Sequence, residues 1–69
     1  MERRRLNSSK LRSAGYDEKS QTLEIEFANG QVWQYGRVSP ELWRRLLASP
    51  SPTSFFEDRI AEDYSGKRV

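Results

Sequence analysis

Thr22-Leu23-Glu24-Ile25-Glu26-Phe27, then Ala28-Asn29-Gly30, then Gln31-Val32-Trp33-Gln34-Tyr35, is the stretch that decides this fold. Apolar and polar residues alternate with a period of two, Asn29-Gly30 supplies a tight turn, and a second β-prone run follows at once, so the stretch reads as a β-hairpin. Two registers compete for it. A two-residue type I′ turn over Asn29-Gly30 sets Glu26 opposite Trp33 and Glu24 opposite Tyr35, turning both aromatics outward. A type I turn over Ala28-Asn29, with Gly30 as a left-handed bulge residue, sets Ile25 opposite Trp33 and Leu23 opposite Tyr35. The slip of one residue reverses every side chain, so the readings exclude each other. The bulged register is the more consistent, because it gathers Leu23, Ile25, Phe27, Trp33 and Tyr35 on one face as a core motif. The other register would expose Trp33 and Tyr35 as a platform for stacking bases, but beside Glu24 and Glu26, which repel phosphate.

An isolated hairpin hardly survives in water, so the rest of the chain must supply cover. Upstream, the segment between Leu11 and Tyr16 reads as a third strand, joined to Thr22 by the turn Asp17-Glu18-Lys19-Ser20. Downstream, Ser39-Pro40-Glu41 opens a helix, with Ser39 as N-cap, Pro40 at the first helical position and Glu41 at the positive end of the dipole. Leu42, Trp43, Leu46 and Leu47 share its apolar arc, and Arg44 and Arg45 face solvent. Ser49-Pro50-Ser51-Pro52 ends that helix. A second helix is expected from Ser54, with Glu57 completing a capping box and Phe56, Ile60 and Tyr64 forming the buried stripe. Phe55 falls off the stripe, either under the hairpin edge or as an exposed aromatic. The resulting expectation is an α+β domain, a three-stranded antiparallel β-meander followed by two α-helices packed on one face, in the order β-β-β-α-α.

The 69 residues leave room for one small domain, with residues 8–64 as its body. Residues 1–7 are expected to be a basic, disordered arm, and residues 65–69 a frayed tail. The overall charge of +2 is uneven, because Arg3, Arg4, Arg5, Lys10 and Arg12 stand against Glu2 alone at the start of the chain. Such an arm is either a solubilising tail or an attractor of phosphate and acidic surfaces. There is no cysteine for disulfides or thiolate metal sites, and no membrane-length or signal-like apolar run, so a cytoplasmic protein is expected.

The chemistry that is missing narrows the function. Without histidine the chain lacks the commonest general base and metal ligand, and its glycines form no phosphate loop. Asp58 and Glu62 stand one helical turn apart, yet nothing completes a cation cage, and Glu57 and Asp58 are explained as first-turn acids. Neither catalytic residues, metal nor cofactor is expected, nor a small-molecule substrate.

Several residues together resemble the KTSC domain family, small modules named for the C-terminus of some lysyl-tRNA synthetases and found also as stand-alone bacterial proteins. They are Ser8-Ser9, Gly15-Tyr16-Asp17, the Leu23 to Gly30 strand and turn, Trp33-Gln34-Tyr35, Val38 with Pro40, Leu46-Leu47, Phe55-Phe56 with Ile60, and Tyr64. The chain departs from the family pattern at Trp33, where the motif looks like Tyr-x-Tyr, and at Thr53, where a glycine is expected. Losing that hydroxyl argues against a role for it as acid or nucleophile. The resemblance implies a small domain without an assigned activity, for which the synthetase association suggests RNA.

Two functional expectations follow. One is an accessory RNA- or nucleic-acid-binding module, with Arg3, Arg4, Arg5, Lys10, Arg12, Arg37, Arg44 and Arg45 on the phosphates. The other is a protein-interaction module that meets a partner chain or a second copy through an edge strand or the surroundings of Trp43 and Phe55.

Overall fold

The computed structural model describes residues 3–6 and 8–69. Five antiparallel strands lie in sequence order, β1 (Arg3–Arg5), β2 (Leu11–Asp17), β3 (Thr22–Phe27), β4 (Val32–Tyr35) and β5 (Gly66–Arg68). Between β4 and β5 come α1 (Pro40–Ala48), α2 (Pro52–Phe56) and a π-helical segment (Glu57–Ala61) that continues α2. The expected three-stranded meander is therefore the middle of a five-stranded sheet.

Both additions lie in segments expected to lack structure. The arm forms β1, with Arg3 opposite Gly15, Arg4 opposite Ala14 and Arg5 opposite Ser13; Met1, Glu2 and Asn7 lie outside the described residues. Its anchor is Leu6, the apolar residue that follows three arginines, which is buried in the core while its amide donates to the Arg12 carbonyl at 3.1 Å. The tail forms β5 beside β4, with Tyr35 opposite Gly66 and Trp33 opposite Arg68. The Val69 amide extends the ladder to the Val32 carbonyl at 2.9 Å.

The hairpin takes the bulged register, with Leu23 opposite Tyr35 and Ile25 opposite Trp33. Gly30 donates to the Phe27 carbonyl at 3.0 Å and Phe27 to the Gln31 carbonyl at 2.8 Å. Gly30 has φ +93°, whereas Asn29 does not enter the left-handed region that a type I′ turn demands of both central residues. The Asn29 side chain instead accepts from the Gln31 amide at 3.0 Å, which fixes the turn from within.

Helix α1 starts as its sequence dictates: Ser39 accepts from the Leu42 amide at 3.2 Å, and Pro40 occupies the first turn. The second helix differs from expectation. It begins at Pro52 rather than after Ser54, and the Ser54–Glu57 capping box does not form, because Pro52 already holds the φ of a first helical residue. Its stripe survives the π-helical widening. Phe56 and Ile60 are buried, and Tyr64, half-buried past the helical end, donates its backbone amide to the Ile60 carbonyl at 3.0 Å. Phe55 is half-buried against the core and is not an exposed aromatic. The helical segments cover one sheet face, where Phe56 sets its ring edge-on against both Phe27 and Tyr35. Leu46, Val38, Leu23, Ile25 and Leu11 complete the sealed centre. Among the described residues no helix is long and apolar enough to cross a membrane.

Candidate nucleic-acid interface

The sheet face turned away from the helices decides the fate of the arginines. Strand pairing aligns Arg3, Gly15, Glu24, Gln34 and Lys67 in one cross-strand row. Gly15 has no side chain, so Arg3 reaches across it to Glu24, with Nη2 and Nε at 2.6 and 2.8 Å from Oε2. Gln34 donates to the other carboxylate oxygen at 2.9 Å. These hydrogen bonds, from Gln34 first and then Arg3, outweigh burial and hold the Glu24 carboxyl below its ordinary range.

The adjacent row runs through Arg5, Ser13, Glu26 and Val32. Between Leu11 and Ser13 the β2–β3 register shifts, which makes Arg12 the extra residue of a bulge and swings it to the same side as Ser13. Ser13 donates to Glu26 at 2.8 Å, while Arg12 Nη1 is 3.8 Å and Arg3 Nη1 3.6 Å from that carboxylate. Arg12 Nη2 also donates to the Ala28 carbonyl at 3.3 Å.

The candidate cations are thus not equivalent. Arg3 is held tightly within the protein, Arg12 loosely. Lys10 lies 3.7 Å from Glu57, and Arg45 pairs with Glu41 at 2.9 Å, both as exposed contacts that contribute little. Arg4, Arg5, Arg37 and Arg44 make no ion pair among the described residues. Arg37 follows β4, beyond the sheet end opposite the β3–β4 turn, and has a left-handed backbone (φ 63°). Arg44 is on exposed helix surface. These two are therefore separated from the arm-side group of Arg5 and Arg12, while Arg4, opposite Ala14, alternates to the other face of β1 and Lys10 lies toward Glu57.

The arm-side group borders an open cleft lined by Arg5, Leu6, Ser8, Ser9, Arg12 and Ala28. The Ser8 hydroxyl accepts from the Lys10 and Leu11 amides at 3.3 and 3.2 Å and bonds to the Thr53 hydroxyl, tying the β1–β2 connection to α2. Thr53, a departure from the family pattern, therefore has a structural partner. Leu6 and Ser13 escaped the sequence reading of the site, and Glu24 and Glu26 entered it only as groups that repel phosphate. The alternation of Glu24 and Glu26 with Leu23, Ile25 and Phe27 signalled that both carboxylates share a face, but not that Arg3 would cross Gly15 to meet them.

Trp33 and Tyr35 belong to the helix-covered side. Tyr35 is buried, which pushes its hydroxyl pKa up. Trp33 is half-buried and donates from Nε1 to the Gln31 side chain at 3.2 Å. At the sheet end far from the β3–β4 turn, Tyr16 stacks on Trp43 with ring centroids 5.7 Å apart and donates to the Val38 carbonyl. Burial, with the charges of Glu18 and Asp17, raises the Tyr16 pKa against the opposing charge of Arg44. Among the described residues no three His, Cys, Asp or Glu side chains converge as metal ligands.

Residues 7–64 match the model of the KTSC domain family. An uncharacterised protein of Stutzerimonas stutzeri is 47% identical over 51 residues, 74% of this chain and 72% of its own length. A lysine–tRNA ligase of Nostoc punctiforme is 36% identical over 52 residues, 75% of this chain but 9% of that enzyme. The crystal structure of a KTSC domain protein from Yersinia pestis superposes with a TM-score of 0.92 at 28% identity, covering 99% of this chain and 96% of the other.

Proposed function

The chain belongs to the KTSC domain family, and from that premise we propose that it is a non-catalytic module that binds single-stranded RNA or a similar nucleic acid through its backbone. One observation carries this reading: the arginine arm is an ordered edge strand, in which Arg5, opposite Ser13, lies beside the Arg12 bulge and neither Arg4 nor Arg5 has a carboxylate partner among the described residues. Fixing the backbone that carries them on a strand lowers the entropy lost on binding. The similarity to part of a lysine–tRNA ligase agrees in direction. Stacking is not part of the mechanism, because Trp33 and Tyr35 pack on the helix side.

The test is a titration with short single-stranded RNA at low and moderate salt. Binding should weaken with salt, and replacing Arg4 and Arg5 together by alanine should lower both affinity and salt slope, by about 0.7 in log–log slope for each phosphate no longer neutralised. Salt-independent binding, or none, would sink the reading. Docking to a second copy through edge strands is the less favoured alternative, since both edges, Arg3–Arg5 and Gly66–Arg68, are cationic and repel their like. Light scattering should therefore report a monomer.

A further inference from the structure

We propose that the cleft between Arg5 and Arg12 is a seat for a single phosphate group. Resting on the nucleic-acid reading for its source, the seat holds one backbone phosphate of the bound strand, while the other cations contribute diffuse attraction.

Two of the residues that line the cleft carry guanidinium groups, Arg5 on the edge strand β1 and Arg12 on the bulge of β2. Among the described residues that line it there is no carboxylate. Arg5 makes no ion pair or side-chain hydrogen bond among the described residues, so its donors are unspent. Arg12 is oriented by the Ala28 carbonyl through Nη2, and its ion pair with Glu26 is long and exposed, 3.8 Å against the 2.6 Å of Arg3 on Glu24. The bulge thus aims Arg12 without saturating it.

The rest of the lining is suited to holding an anion at this spot. Ser8 fixes the turn by accepting from two backbone amides, and the neighbouring Ser9 also lines the cleft. Leu6, buried in the core, anchors the end of the strand that carries Arg5. Planar guanidinium forks match phosphate oxygens in pairs, which an ammonium group cannot do. One phosphate is the capacity of the site, because Glu26, 3.8 Å from Arg12 Nη1, bounds it on the sheet side and Glu24 lies beyond, both held by Arg3, Ser13 and Gln34.

The experiment uses the full chain, nuclear magnetic resonance and inorganic phosphate at low ionic strength, with acetate as comparison and RNA anisotropy as a second readout. Phosphate is expected to shift the Leu6 and Ser9 amides and the Nε signals of Arg5 and Arg12 saturably, and acetate not. Arg5→Ala and Arg12→Lys should each abolish the saturable shift, the second although it keeps the charge; Arg44→Ala should not. Arg5 makes no ion pair or side-chain hydrogen bond among the described residues, so its variant reports on the seat even if the Arg12 variant is impaired in folding. RNA affinity should fall on the order of tenfold with Arg5→Ala, the effect of removing one charge-assisted hydrogen bond, and less with Arg44→Ala. Shifts that fail to saturate, or an equal response to acetate, would overturn the seat. RNA binding equally affected by Arg5→Ala and Arg44→Ala would also overturn it while leaving the nucleic-acid reading intact. Saturable phosphate without RNA binding would support the seat and remove that reading.

Discussion

Gly66 lies so close to the β4 aromatics that a Cβ there would stand 2.5 Å from Tyr35 Cε2 and 3.0 Å from Trp33 Cε3. Those rings are wedged against Phe56 and the core, so the strand rather than the ring must yield. Gly66→Ala should undock β5 and cost about 1–3 kcal/mol, seen as a lower thermal midpoint with loss of hydrogen-exchange protection confined to β4 and β5. Glu24 offers a second test at this scale. Its carboxyl pKa is lowered on folding, so its contribution to stability is complete above the ordinary carboxylate pKa and is lost as the pH falls through the folded value. Urea unfolding between about pH 6 and 3, the range that spans carboxylate titration, should show a shallower acid decline in Glu24→Gln than in the parent chain. An unchanged slope would mean that the Gln34 and Arg3 hydrogen bonds to Glu24 do not persist in solution.

At the scale of elements, the alternation of Leu23, Ile25 and Phe27 and the Ser39-Pro40 start of α1 were legible because both are local: one needs a sheet face, the other a free amide. The bulged register was likewise legible from consistency, since only that slip places both aromatics with the apolar residues. Its consequence is measurable. In Trp43→Phe, the remaining Trp33 should emit to the blue of a solvated tryptophan and should not be quenched by RNA. Strands β1 and β5 were illegible, because Arg3–Arg5 and Gly66–Arg68 carry no apolar period of their own and are exposed throughout. They are strands through their neighbours, by way of buried Leu6 at one edge and the close approach of Gly66 to Tyr35 at the other.

Across the whole molecule the charge is redistributed relative to its order in the sequence. The basic arm and the slightly acidic remainder meet on one sheet face, where Arg3 and Arg12 are partly spent on Glu24 and Glu26. The number of phosphates neutralised should therefore fall short of the full set of candidate cations. A log–log salt slope on single-stranded RNA near −2 to −4, at about 0.7 per phosphate, is expected, and a slope steeper than about −5 would mean that the ion pairs open on binding.

The sequence by itself determined the hairpin, its favoured register, the first helix and the absence of histidine and cysteine chemistry, since each depends on composition or on neighbours a few positions apart. Only the tertiary structure decided which arginines stay free. That outcome depends on Gly15 lying between Arg3 and Glu24, on the bulge at Arg12, and on two edge strands whose stability comes wholly from packing against other parts of the chain.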